Sequence, residues 1–447
     1  MTSLAQLTEQ LLDYARSAGA DSADAIALSD ASVHIDVRSG KLESAERSEG
    51  TSVGIRVLIG QQQACVSTSD VRPDSLKTIA ERAVAMARFA PIDPTCGLAD
   101  PSQLATDLES SRLDLFDPND DPDPARLQAM AAESEAAALA VKGVAQVTSA
   151  SAGMGRREVY ISATNGFSAG YRRSDYGLSC GALAGTGSSM EREYDHDGRI
   201  YFSDLRDPTD IGRIAGERAV ERLSPKRPKT GAYPVMLDER VASGMIGHLI
   251  QAINGTSIAR GSSWARKLLG EQVLPAELSL IDDPHRPRAG SSKLFDAEGL
   301  PTARRAIVEN GILTGWTLDL ATGRKLDMPS TANAVRGPAA PPSPSVTNIE
   351  LTQGAMSKSD LLKQMGTGLL VTGFIGTSIN PNTGDYSRGA SGFWVENGEI
   401  TYPVNEVTIA GNLIEMLRRI TPANDARTYS SRIVPSLLIE GMTLAGD

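Results

Sequence analysis

Cysteine is scarce in this chain. Cys65, Cys96 and Cys180 are an odd number, widely spaced, with no CxxC pair. That argues against a disulfide framework and fits a reducing, cytoplasmic compartment in which the thiols pack as small apolar groups. Aromatic residues make up 4% of 447, too few for base-stacking platforms. There is no long basic run and the formal net charge is −11, which opposes binding to nucleic acid or to an anionic membrane surface. The apolar runs, such as residues 368–376, fall far short of the about 20 residues that span a bilayer. The N-terminus lacks the basic segment and apolar run of a secretory leader. No GxSxG elbow is present, and the glycines of residues 181–187 do not lie between a strand and a helix of a βαβ unit, so neither a serine nucleophile nor a nucleotide loop is indicated.

What is present is periodic. Leu4, Leu7, Leu11 and Ala15 give residues 3–18 an amphipathic helix, with Ser3 and Gln6 as a capping box. The period then falls to two over Val33-Ile35-Val37 and Val53-Ile55-Val57-Ile59. Residues 41–48 read as an exposed or edge strand, 73–89 as a helix, 90–124 as a long surface connection and 123–141 as an alanine-rich helix. Residues 144–202 read as a meander of five short strands, and 207–223 as a fourth helix. Residues 224–230, polar with two prolines, mark a boundary between an α+β domain (1–224) and a β-rich domain (225–447).

The second domain opens with a strand at 233–237 and a helix at 238–253, with Asp238 as N-cap. Two Glu-Asn-Gly triplets, 309–311 and 396–398, lie between strand-like runs and predict type I′ hairpins. Residues 336–345 carry four prolines and read as an extended loop, and 433–444 as a pair of strands. This β-dominated domain is expected to close into a barrel-like sheet, with hairpin edges on which an extended peptide could add.

Chemistry-bearing residues are few. His34 and His285 read as ordinary surface histidines. The Asp282-Asp283 and Asp195-His196-Asp197 clusters lie in turn-like sequence, which explains them without a metal ion. His248 is the one imidazole in the 238–253 helix. A metallopeptidase helix needs two ligands for one ion and a carboxylate beside them to activate water. Five residues before His248 stands Ser243, followed by Gly244, and neither can do those jobs. Positions i and i+5 also diverge by about 140° on an ideal helix, so two ligands there would need a distortion such as Gly247 permits. With serine opposite, His248 reads as a polar residue bordering the buried stripe.

Taken together, several tracts carry a resemblance. They are Gly247-His248 with RGSS at 260–263, FDAEGLPTARRAIVENGILTGWTLD at 295–319, VTNIE at 346–350, and SINPNTGDYSRGASGFWVENGEI at 378–400. Over nearly its whole length the chain resembles the TldD/TldE (PmbA) family, and it looks like the TldE/PmbA branch. TldD-type subunits of that family carry zinc on HExxxH plus a cysteine near the C-terminus. The resemblance places the first ligand and the catalytic glutamate at Ser243 and Gly244 and the second ligand at His248, and no cysteine follows residue 421. It therefore implies no catalytic or metal-binding residue on this chain, and a TldD-like partner subunit that supplies the zinc. It also implies a shared chamber in which peptides or unfolded proteins are cut, in peptide-antibiotic maturation or antitoxin turnover. His248, Asp296 and Asn348 are expected near that chamber. The family's older name, modulator of DNA gyrase, is not read as DNA binding. Two rival readings stay open: a homodimeric, non-catalytic binding or scaffold protein, and an independent hydrolase with a site no motif reveals.

Overall fold

Alternating apolar residues over 22–199 build one six-stranded antiparallel sheet. The computed structural model describes residues 2–119 and 121–446. Strands β1 (Ser22–Arg38), β2 (Lys41–Ile59), β3 (Gln62–Thr68), β4 (Val144–Ala163), β5 (Ser168–Ala184) and β6 (Glu191–Arg199) lie in the order β3-β2-β1-β4-β5-β6. Side chains alternate between its faces. On one face, Ala23, Ala25, Ala27, Val53 and Ile55 pack under helices α1 (Leu4–Ser17) and α2 (Pro73–Ala87). Further along that face, Ile35, Val37, Ala150 and Ala152 pack under α3 (Pro124–Leu139) and α4 (Pro208–Glu221). The opposite face presents Ile26, Val159 and Ile161 to Leu294 and Phe295 of the second half. Residues 41–48 pair with β1 alone and are mostly exposed, as an edge strand should be.

Three local expectations change. The segments between 144 and 185 are two long strands rather than four short ones. Gly153 and Gly155 act as spacers, not breaks: an added Cβ would lie 3.0 Å from the His34 ring at Gly153 and 2.8 Å from the Asp175 carboxylate at Gly155. Asp195-His196-Asp197 sits in β6, not in a turn. Glu193, Asp195 and Asp197 alternate inward and are buried, where they meet Arg222, Arg206 with Arg218, and Arg199 respectively. The 90–124 connection is more than surface, because Leu113 and Leu115 are buried in the seam beside Phe167 and Phe295.

In the second half, β7 (Gly231–Leu237) leads into helix α5 (Glu239–Ala252). β7 joins strands Gly368–Ile379, Asp385–Glu396, Glu399–Asn412 and Leu437–Ala445 in a closed barrel of five strands, the barrel-like sheet expected. Val235, Leu237, Val371, Trp394 and Ile409 from the strands share one core with Ala242, Met245, Ile246 and Leu249 of α5. Both Glu-Asn-Gly triplets form the expected turns: φ is 49° and 80° at Asn310-Gly311 and 53° and 79° at Asn397-Gly398. The ends of the proline-rich loop pair as a two-residue ladder, Ala334–Val335 with Ser343–Pro344. The final run is mainly one strand, not a pair. Gly441 at φ 73° sits where the register shifts between Ile439 and Met442, so the chain bulges instead of turning back. The closing contacts are short, three residue pairs between Gly368–Ile379 and β7 and three between Glu399–Asn412 and Leu437–Ala445.

The halves interlock. The buried Arg336 guanidinium meets Asp24 of β1, which also holds Arg56 of β2. Gly54 lets this strap approach, since a Cβ there would lie 1.9 Å from the Pro338 carbonyl oxygen.

Candidate functional site

Helix α5 is set by its first residue and its apolar stripe. Asp238 caps it, accepting from the Arg240 backbone N–H at 3.1 Å. Burial alone would raise the Asp238 carboxyl, but Lys358 and Arg240 outweigh it and hold the group down at about 2. Ala242, Met245, Ile246, Leu249 and Ala252 then face the barrel core. That leaves Ser243, Gly244, Gly247 and His248 along the other side. The two glycines cost helix propensity, which the buried stripe offsets.

On this strip the chemistry is sparse. His248 is half-buried, with its ring edge-on to Tyr386 at a centroid distance of 5.8 Å. Burial, helped by the Arg388 guanidinium, keeps the imidazole below its ordinary pKa and so neutral at pH 7. A Cβ at Gly244 would meet nothing within 4 Å, and one at Gly247 would lie 3.4 Å from Arg432 Nη1. One imidazole, one hydroxyl and a nearby guanidinium do not fit a zinc ion, which takes three or four nitrogen, sulfur or oxygen donors and is repelled by a neighbouring cation. Among the described residues no three His, Cys, Asp or Glu side chains group to hold a metal ion.

In front of Ser243 lies a cavity of about 370 Å³ on the seam between the halves. Asp195 and His196 of β6, Arg218 of α4, Glu239 and Arg240 of α5, and Arg427 with Arg432 from the segment before the last strand line it. The sequence reading missed these arginines. They come from short, non-periodic segments, and only the fold carries them to α5. A larger trough of about 930 Å³ runs over the sheet face floored by Ser151, Gly153, Gly155 and Gly177, with His34, Arg157 and His196 beside it.

The other two expected chamber residues have structural partners. Asp296 is buried and accepts from the backbone N–H groups of Glu298 (2.9 Å), Leu300 (3.1 Å) and Ala334 (3.0 Å). Burial raises its pKa despite Lys293 close by. Asn348 is fully buried and donates to the Asp283 carbonyl at 2.8 Å and to Ser292 Oγ at 2.7 Å. Neither shares a hydrogen-bond partner with His248 or with the other. Asp296 lines its own cavity of about 420 Å³, with Lys293 and Arg173. Ser263, last of the RGSS tract, donates to the Ala252 carbonyl at 2.5 Å and so ties off the end of α5.

Comparison with known proteins places the chain. Family models of the PmbA/TldA metallopeptidase match domain 1 at residues 23–87, the central domain at 117–223 and the C-terminal domain at 230–446. Metalloprotease PmbA of Escherichia coli O157:H7 is 36% identical over 93% of this chain and 90% of its own length. A metalloprotease PmbA homolog of Haemophilus influenzae is 37% identical over 99% of this chain and 96% of its own. A crystal structure from Bacteroides thetaiotaomicron, described as a putative modulator of DNA gyrase, superposes with TM-score 0.92 at 27% identity, covering 100% of both chains. TldE from Thermococcus kodakarensis shares the fold, with TM-score 0.84 at 19% identity over 98% of this chain and 99% of its own. On all three domains and nearly its full length, the chain belongs to the PmbA/TldD metallopeptidase family.

Proposed function

We propose that this chain is the metal-free, TldE/PmbA-type subunit of a two-subunit zinc peptidase. Its partner is a TldD-like subunit that carries the zinc, and their shared chamber admits peptides or unfolded proteins. The observation that carries this reading is the outward strip of α5. Serine and glycine stand where a family motif would put a ligand and an acid, and a guanidinium stands over the next turn. With serine and glycine at those positions, this strip offers no group to activate a zinc-bound water, and the part in hydrolysis that we assign to the chain is to shape and hold.

The Gly- and Ser-floored trough supports a chamber wall, because bare backbone lets an extended chain lie close. His248 is the sequence-derived chamber residue that we keep at the wall. Asp296 and Asn348 fix loops through their hydrogen bonds. Peptide-antibiotic maturation or antitoxin turnover is the role this assembly would serve. A net charge of −11 favours a peptide-handling role over nucleic-acid binding, and we place the chain in the cytoplasm.

The test is co-expression with a TldD-like subunit. The two are expected to co-purify as a stable complex, with stoichiometric zinc in the complex and none in this chain alone by elemental analysis. A chain that forms only homodimers and ignores the second subunit would instead be a scaffold.

A further inference from the structure

We propose that the cavity in front of Ser243 is a carboxylate-binding subsite, with Arg432 as its receiving group, for a carboxylate carried by a peptide. The ligand class rests on the peptide-handling function above. The site itself rests on charge and geometry.

Four arginines line the cavity, and three of them are answered. Arg218 meets Asp195 at 2.8 Å, Arg240 meets Asp238 at 2.8 Å and Arg427 meets Glu239 at 2.6 Å. Among the described residues Arg432 has no carboxylate within ion-pair distance, and its side chain is the one that stands against α5 beside Gly247. An acidic chain with 55 carboxylates against 44 Lys and Arg leaves a cation unanswered here. A guanidinium without a carboxylate partner is best satisfied by a planar anion that accepts two parallel N–H bonds.

The backbone that carries Arg432 is also held in advance. Arg432 lies on a two-residue strand beside Ile349–Leu351, and its backbone N–H donates to Ser430 Oγ at 3.2 Å. Arg286 anchors the same segment by donating to the Thr428 and Ser430 carbonyls at 2.7 and 2.9 Å, and the Arg199 guanidinium covers the Tyr429 ring at 3.3 Å. An anchored segment leaves less backbone to order when a ligand binds. Gly244 leaves the helix bare and open opposite, where a ligand's end could enter, and Ser243 and Ser431 offer neutral hydroxyls. The Asp195 and Glu239 carboxylates at the rim, each already paired, disfavour a dianion such as phosphate and leave room for a single negative charge.

The experiment is fluorescence anisotropy with the isolated full-length chain. Three fluorescein-labelled peptides are compared: tetra-alanine with a free C-terminus, the same peptide amidated, and an amidated version with one glutamate. The free acid is expected to bind at least tenfold tighter than the plain amide. If the glutamate-bearing amide recovers that affinity, side-chain carboxylates are accepted as well; if it does not, the subsite is specific for a chain end. Arg432→Gln should make all three peptides equal, and Arg432→Lys should keep a reduced preference. Arg432 is exposed, and a melting curve of each variant confirms that folding is intact. Equal binding of all three peptides by the unmodified chain, no binding at all, or a preference that survives in Arg432→Gln overturns the proposal. No second subunit is needed for this readout. Failure here leaves subunit pairing standing, and failure to pair leaves a measured acid-over-amide preference standing.

Discussion

Glu298 is the residue on which pH should act most visibly. Burial, with the Asp296 carboxylate beside it, pushes its carboxyl up to about 8, while Arg56 opposes the shift. Its oxygen accepts from the Leu320 backbone N–H at 2.8 Å. Between the ordinary glutamate value and about 8, the folded chain therefore keeps a proton that the unfolded chain has released. Stability falls as pH rises through that window, because the folded state binds more protons. Glu298→Gln keeps the acceptor and removes the charge. Its melting temperature should match that of the unmodified chain at pH 5 and exceed it at pH 8.5; two curves that stay parallel across that range would show the carboxyl to be unshifted. None of this was legible in FDAEG, where Asp296 and Glu298 look like loop residues. Their burial depends on Ala334 and Leu320, brought in from 22 or more positions away. His248 and Ser243, by contrast, could be placed on one helix from spacing alone.

Elements were legible where one physical rule sufficed. Helix α5 followed from a four-residue apolar recurrence and a capping aspartate, and both hairpin turns followed from Asn-Gly. Strand lengths were not, because glycine has two meanings in a strand. At Gly153 and Gly155 it makes room for a neighbouring side chain, and at Gly441 it bends the strand through a bulge, while the sequence shows only a break in the pattern. Two substitutions test elements directly. Asp238→Ala removes the α5 cap, leaves Lys358 without its carboxylate and Arg240 with only Glu193 at 3.7 Å, and should cost about 2 kcal/mol in urea unfolding at pH 7. Since Asp238 is held at about 2, that contribution is present at neutral pH and fades only as pH falls toward its folded value, so the difference between the two chains should shrink in strong acid. Gly212→Ala sets a methyl 1.9 Å from the Ser134 carbonyl oxygen, where α4 crosses α3. It should destabilise by about 1–3 kcal/mol, measured the same way, because the helices must separate. A neutral result would mean that α3 and α4 pack less closely than described.

At the scale of the whole molecule, the sheet of 22–199 and the barrel after 230 are joined by buried charge as well as apolar packing, with Arg336 reaching Asp24. Sequence periodicity could suggest each half but not the seam, because the seam is made of residues far apart along the chain. It is on this seam that the helix bearing Ser243 and Gly244 meets the cavity with Arg432. On the function proposed above, this face is a chamber wall with an anion-receiving group, and hydrolysis needs the zinc of a partner subunit. The most direct check is peptide hydrolysis by the purified chain alone and by its complex with a TldD-like subunit. Cleavage should appear in the complex only and vanish with a chelator. Hydrolysis by this chain alone, abolished by the same chelator, would contradict the account.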